Sequence, residues 1–251
     1  MSPSLAPLTA LTDSTNFKPS YNSIKNYTMV KPAGLLSNRY KVEDMPDLSG
    51  KVAVVTGGSR GIGEAAVSAL VQKGCQGKSI GLELEFDLIC LTVSSDADAP
   101  VHVISATEDH QQEAIDNISK LAPNAPKLIT THAVDLGSLH KLIPLAKDLS
   151  SKLDRLDILH LNAGVGVAPF GLTNDGLGNH YAINYLSHLV LADILTPKMI
   201  ETSKKATGDD KYNVRIVLES SELHRGAPSD VACESVAEMN EDIGAARLYN
   251  R

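Results

Sequence analysis

The chain has 251 residues, of which 43% are hydrophobic, and a formal net charge of -7. This length and composition predict one globular domain with a sizeable core. The acidic balance argues against nucleic acid as a partner, because phosphate recognition needs a clustered basic face, and no apolar run in the sequence reaches the length of a membrane span. The three cysteines have neither a disulfide nor a metal-site spacing, so we expect reduced thiols, a cytoplasmic protein and no bound metal.

The first segment of the chain, residues 1–46, is rich in Ser, Thr, Asn and Pro and has no apolar period. This composition predicts a disordered leader ahead of a domain at 47–251. A transit peptide would need arginines, and none precedes Arg39. Met29 is an alternative start of the protein.

A glycine-rich stretch near residue 57 organises the rest of the sequence. Val52 to Val55 form an apolar run typical of a buried parallel strand, and Glu64 to Leu70 carry apolar side chains at helical spacing. Gly57, Gly61 and Gly63 lie between them. Such a turn lets a pyrophosphate approach the backbone at a helix N-terminus, so the pattern predicts phosphate binding. A plain strand-to-helix turn is the alternative; a phosphate-loop NTPase is excluded, because no Lys-Ser or Lys-Thr directly follows these glycines.

An extra segment, residues 75–100, follows the first helix where a connection of about 2–6 residues is usual. A retained intron is one explanation, because Gly77-Lys78-Ser79 can be encoded by a common splice-donor sequence. A genuine insertion, with 84–93 forming an added strand, is the other. Sequencing of transcripts across this segment decides between them.

Strands and helices alternate along the remaining chain. The apolar patterns predict strands at 101–104, 127–134, 157–161 and 213–218, and helices at 111–121, 139–153 and 176–194. Residues 222–246 form a polar excursion. The alternation predicts an α/β fold with a doubly wound parallel sheet and a ligand at the carboxyl ends of the strands.

Two motifs, Thr56-Gly-x-x-x-Gly-x-Gly63 and Asn162-Ala163-Gly164 after a buried strand, resemble those of the short-chain dehydrogenase/reductase family. The resemblance implies a Rossmann-like domain and NAD(P)-dependent hydride transfer between nicotinamide and an alcohol/carbonyl substrate. By the same resemblance, Ser221 binds the reacting oxygen, with Ser220 as its alternative, Tyr249 transfers the proton and Asn184 holds a water of the proton relay.

The resemblance also implies a set of cofactor-binding residues. Arg60 suits the 2'-phosphate of NADP, whereas Glu108 suits the free ribose of NAD, and we favour NADP. An Asp at the end of the third strand lies beside the adenine ring in the family. The full expected set is Gly57, Ser59, Arg60, Gly61, Ile62, Gly63, Glu108, Asp135, Leu136, Asn162, Ala163 and Gly164.

One departure from the family concerns the C-terminus. The lysine expected four residues after Tyr249 would be residue 253, and the sequence ends at Arg251. We therefore expect a truncated domain that lacks its last strands, has an unpaired apolar sheet edge and has an incomplete homo-oligomer interface. The alternative function is accordingly a non-catalytic, truncated or mis-spliced product that at best binds dinucleotide.

A histidine three residues after Ser221 refines the expected substrate. Ser220-Ser221-x-x-His224 resembles the retinol-dehydrogenase-like branch of the family, which implies an apolar alcohol or carbonyl. A serine hydrolase is a poor alternative, because this serine and histidine lack a nucleophile elbow.

Overall fold

The computed structural model describes residues 41–75, 101–106, 110–208 and 213–251. These residues belong to one compact unit, Lys41–Arg251. Its sheet has five parallel strands in the order β3-β2-β1-β4-β5. The strands are β1 (Ala53–Thr56), β2 (Val101–Ser105), β3 (Ile129–Ala133), β4 (Ile158–Leu161) and β5 (Arg215–Leu218).

Seven α-helices accompany the sheet in the described residues. They are α1 (Gly61–Gln72), α2 (Gln111–Ser119), α3 (Ala125–Leu128), α4 (Leu139–Lys152), α5 (Ser187–Lys205), α6 (Val236–Met239) and α7 (Ala245–Asn250). A π-helix, Tyr181–Leu186, leads directly into α5, and 3-10 helices occupy Val42–Asp44 and Glu222–Gly226. None of the described helices is long and apolar enough to cross a membrane.

The central strand β1 is buried on both faces, which explains its continuous apolar run. Val54 packs into one cluster with Leu142 of α4 and Leu191 of α5. Val55 packs into a second cluster on the other face, with Val67 of α1. Helices therefore cover both faces of the sheet, and the predicted doubly wound α/β domain is confirmed.

Three predicted boundaries are wrong. Residues 127 and 128 belong to α3, not to the third strand, because Pro126 at the start of this helix favours a helical turn before β3 begins. The helix predicted at 176–194 begins later, since Gly176 has a φ of +74° and lies in a turn. That helix also continues past Pro197 to Lys205.

The chain on either side of the segment 75–100 has an ordinary α/β arrangement. Cys75, just after α1, is buried and its Sγ donates to the Lys51 carbonyl at 3.0 Å. Val101 begins β2, paired in parallel with Ala53 of β1. Residues 76–100, and with them the choice between intron and insertion, lie outside the described residues, as do residues 1–40 of the predicted leader.

A buried carboxylate joins the amino ends of β1 and β4. Asp157 accepts a hydrogen bond from the Val52 amide at 2.9 Å, and the Arg155 guanidinium donates to both of its oxygens at 2.8 and 2.7 Å. The side chain of Asp157 is 2% exposed. This end of the sheet is opposite the carboxyl ends at which the sequence places the ligand.

Strand β5 forms one edge of the sheet. All four of its residues are exposed, and Ile216, Val217 and Leu218 present apolar side chains to solvent. Within the described residues, no strand pairs with its outer side. Strand β5 is therefore an apolar edge strand of the sheet that the described residues form.

Candidate active site

The strand order reverses between β1 and β4, and this reversal positions the candidate site. Thr56, the last residue of β1, is in register with Leu161, the last residue of β4. The glycine turn follows Thr56 and the Asn162-Ala163-Gly164 tripeptide follows Leu161. In open α/β sheets the crevice at such a reversal is where ligands bind. The structure thus brings the two sequence motifs together.

Three glycines of the turn have three different physical requirements. Gly57 has a φ of +68°, and a Cβ there would lie 2.9 Å from Ala163 Cα. A Cβ on Gly63 would overlap the Gly57 carbonyl oxygen and lie 2.6 Å from Asn162 Nδ2. Gly61 has a φ of +55° but no atom within 4 Å of its Cβ position. Gly57 and Gly63 therefore close the turn, whereas Gly61 faces open space.

A fourth glycine, Gly58, was not among the predicted site residues. A Cβ at this position would collide with side chains of the core, including that of Val67 at 2.9 Å. Gly58 is thus required for the packing of α1 on the sheet. The sequence contains the Gly57-Gly58 pair but no signal that separates the roles of its two members.

The N-terminus of α1 points out of this turn without a side-chain cap. Arg60 occupies the N-cap position, and no side chain there accepts a hydrogen bond. The first amides of a helix have no partner within it, and its dipole favours an anion at this end. Together with the open space above Gly61, this arrangement fits the pyrophosphate of a dinucleotide. Arg60 and Ile62 are exposed beside it and Ser59 is half-buried.

Thr56 connects the end of β1 to the tripeptide after β4. Its Oγ1 accepts hydrogen bonds from the backbone amides of Asn162 at 2.9 Å and Ala163 at 3.0 Å. Asn162 Nδ2 donates in return to the Thr56 carbonyl at 3.1 Å. The loop after β4 is therefore fixed against the glycine turn. Thr56 was not predicted as a site residue, although it precedes the glycines in the motif.

Asn184 lies in the π-helix and binds the same loop from the other side. Its Oδ1 accepts from the Val165 amide at 2.8 Å, and its Nδ2 donates to the Val165 carbonyl at 3.0 Å. A Cβ on Gly164 would lie 3.2 Å from Asn184 Oδ1. The Asn184 side chain is therefore committed to positioning this loop, and π-helical turns are frequent at functional sites.

Ser221 and Tyr249 lie on neighbouring elements. Ser221 follows β5 and caps the 3-10 helix Glu222–Gly226, where its Oγ accepts from the Leu223 amide at 3.2 Å. Tyr249 lies in α7, which packs on that 3-10 helix, and Asn250 Nδ2 donates to the Gly226 carbonyl at 3.3 Å. No hydrogen bond joins the Ser221 and Tyr249 side chains among the described residues. His224 Nδ1 pairs with the Ser221 carbonyl and not with its hydroxyl.

The predicted adenine-side residues have different environments. Asp135 is exposed, and its Oδ1 accepts from the Gly137 amide at 2.8 Å. Leu136 is 3% exposed and its side chain packs in the core. Glu108 lies outside the described residues.

Comparison with known proteins gives a consistent assignment. A family model described as short chain dehydrogenase matches residues 89–209. An oxidoreductase of Neurospora crassa designated bli-4, mitochondrial, is 33% identical over 213 residues, which cover 84% of this chain and 45% of the relative. The short chain dehydrogenase/reductase dpchH of Colletotrichum higginsianum is 34% identical over 72% of this chain and 38% of its own length. The polyprenol dehydrogenase of Danio rerio is 29% identical over 76% of this chain and 50% of its own length.

Solved structures show the same fold. An uncharacterized protein from Mycobacterium paratuberculosis has a TM-score of 0.54 at 20% identity, covering 84% of this chain and 60% of that one. A short-chain dehydrogenase from Novosphingobium aromaticivorans has a TM-score of 0.50 at 18% identity, covering 82% and 60%. The chain spans about half the length of the curated relatives it matches. The fold, the two motifs that meet at the site and these matches together show that the chain belongs to the short-chain dehydrogenase/reductase family of oxidoreductases.

Proposed function

We propose that this protein binds a nicotinamide dinucleotide at the turn 57–63 and transfers a hydride between it and an alcohol/carbonyl substrate. One observation carries the proposal: the glycine turn and the Asn162-Ala163-Gly164 loop meet where the strand order reverses, with Gly61 facing open space. A pyrophosphate can bind at a tight turn that is followed by an uncapped helix N-terminus, and the adjoining loop at the end of a strand can contact the ribose. The nicotinamide, when bound, supplies or accepts the hydride.

Arg60 supports NADP as the preferred cofactor. Its side chain is exposed next to Gly61, where a guanidinium can bind a 2'-phosphate through two parallel hydrogen bonds. A charge-assisted hydrogen bond contributes about 1.5–3 kcal/mol, so Arg60→Ala should weaken NADPH binding by about 10- to 100-fold. NADH binding should change little. If Arg60→Ala weakened NADPH and NADH binding equally, Arg60 would instead contact the pyrophosphate or stabilise the fold.

Ser221 and Tyr249 are the proposed catalytic residues, and Asn184 is a proposed positioning residue. Ser221 would donate its hydroxyl proton in a hydrogen bond to the reacting oxygen, and Tyr249 would give or take the proton of that oxygen. A free phenol has a pKa near about 10, so a nearby positive charge is needed for Tyr249 to act as a base at neutral pH. Asn184 would act through the position of the loop that it binds.

The proposed substrate is an apolar alcohol or its carbonyl form. Two observations favour it: His224 follows Ser221 by three residues, and a relative from Danio rerio is named polyprenol dehydrogenase. The proposed partner is thus a small molecule. A homo-oligomer and a cytoplasmic location are further proposals; one relative is named mitochondrial, so microscopy of the tagged chain tests the compartment.

Turnover of long-chain alcohols with NADP⁺ or NAD⁺, followed by the appearance of the reduced nicotinamide, tests the activity. Tyr249→Phe and Ser221→Ala should each lower kcat by about 100-fold or more, since each removes a group that acts in the transition state. Tyr185→Phe is the matched control, because Tyr185 is 56% exposed on the π-helix. Saturable dinucleotide binding without turnover of any alcohol or carbonyl would favour the non-catalytic alternative.

A further inference from the structure

His188 is a buried histidine that links two parts of the candidate site. It lies one helical turn after Asn184, and only 6% of the residue is exposed. Its Nε2 lies 3.0 Å from Thr56 Oγ1, an atom 132 residues earlier in the chain.

The hydrogen-bond count at Thr56 fixes the position of the ring proton. Thr56 Oγ1 already accepts from the amides of Asn162 and Ala163, so both of its lone pairs are used. Its remaining group is the O–H, which must donate to His188 Nε2. A neutral imidazole carries one proton, and that proton is therefore on Nδ1.

The charge state of the ring agrees with this count. Burial lowers the pKa of His188 to about 4. His188 is thus neutral near pH 7, with one donor and one acceptor nitrogen. Its Nε2 is the acceptor that the Thr56 hydroxyl requires.

We propose that His188, as the Nδ1–H tautomer, is a positioning residue of the dinucleotide site that holds the Thr56 hydroxyl in place. This inference rests on the proposed function. The loop after β4 is bound at its start by Thr56 and at Val165 by Asn184. His188 holds Thr56 and lies one helical turn after Asn184. Because a Cβ on Gly57 would lie 2.9 Å from Ala163 Cα, a displaced loop would also move the glycine turn.

The tautomer is tested directly by long-range ¹H–¹⁵N spectra of the histidine rings, with His188 assigned from the signals lost in His188→Gln. The expected result is an Nδ1–H pattern near pH 7. An Nε2–H pattern, or averaging of the two, would overturn the assignment. This measurement needs no dinucleotide, so its result is independent of whether the proposed function is correct.

The positioning role is tested by NADPH titration of five variants. His188→Leu fills the ring volume but leaves the Thr56 hydroxyl without its acceptor, and it should raise Kd by about 10-fold. His188→Gln, whose amide can accept from Thr56, should recover most of the affinity. The double variant Thr56→Val/His188→Leu should bind no more weakly than Thr56→Val alone, since His188 acts through Thr56. His102→Leu, a buried histidine on β2, is the matched control and should retain the wild-type Kd.

Two results would contradict the role. Additive losses in the double variant would show that His188 and Thr56 act independently. Wild-type affinity in His188→Leu, with only a lower Tm, would show that the ring merely fills space. If the wild-type protein binds neither NADPH nor NADH, the proposed function is wrong, and so is the role of His188 as a positioning residue of that site. The tautomer of His188 is decided separately by the ¹H–¹⁵N spectra.

Discussion

Replacing Gly63 with Ala perturbs the closed part of the glycine turn. The added methyl group would overlap the Gly57 carbonyl oxygen and lie 2.6 Å from Asn162 Nδ2. Because one obstacle is backbone, the turn itself must move, at a cost near the upper end of the usual ~1–3 kcal/mol for overpacking. Alanine recovers about 1 kcal/mol through its helix propensity. The net effect is a loss of about 2 kcal/mol in the free energy of unfolding.

For a domain of this size, a loss of about 2 kcal/mol should lower Tm by about 4–8 °C, measured by circular dichroism at fixed pH. Gly166→Ala is the control: no atom lies within 4 Å of its Cβ position and its φ is not positive. It should change stability by less than about 0.5 kcal/mol. A Gly63→Ala protein as stable as the wild type would refute the close contact between the two loops.

Three further predictions concern stability. Asp157→Ala removes the carboxylate that accepts from the Val52 amide and the Arg155 guanidinium, so the free energy of unfolding should fall by about 3 kcal/mol. Urea unfolding measures this loss, and equal midpoints for the variant and the wild type would contradict the prediction. Asp175→Ala removes the carboxylate that binds the Leu139 amide at the start of α4; a loss of about 1 kcal/mol is expected, and none if the bond is absent in solution. Burial lowers the pKa of both His102 and His132 to about 3. Below pH about 6.5, these histidines are therefore protonated in the unfolded chain but stay neutral in the folded chain. Stability should therefore be full above pH 6.5 and fall between there and pH 3 by up to about 1.4 kcal/mol per pH unit for each histidine, and a flat profile from pH 7 to 5 would contradict this.

The alternation of strands and helices and the place of the ligand crevice were predictable because both follow from patterns along the sequence. The apolar run at 52–55 is buried on both faces, and the strand at 101–104 pairs beside it. The glycine spacing correctly predicted a turn between strand and helix. The sequence does not indicate which glycine closes the turn and which faces open space, because that depends on Ala163, more than 100 residues away.

The errors arose where long-range packing decided the structure. The helix predicted to end at residue 194 continues to Lys205. Met199 and Thr202 in this continuation are buried, and the Thr202 hydroxyl accepts a hydrogen bond from the Leu156 amide. Tertiary contacts of this kind outweigh local propensity. The connecting roles of Thr56 and His188 were likewise hidden, since a buried histidine in a helix gives no sequence signal until its partner on β1 is known.

Titration of the 251-residue chain with NADPH and, separately, NADH, followed by nicotinamide fluorescence, tests the central claim most directly. The account predicts saturable binding, tighter for NADPH, that is weakened in Gly61→Asp, because a carboxylate placed in the open space above the turn would repel the pyrophosphate. Absence of binding to either dinucleotide in a folded sample would contradict the assignment of the glycine turn as a cofactor site. Unchanged binding in Gly61→Asp would place the dinucleotide elsewhere.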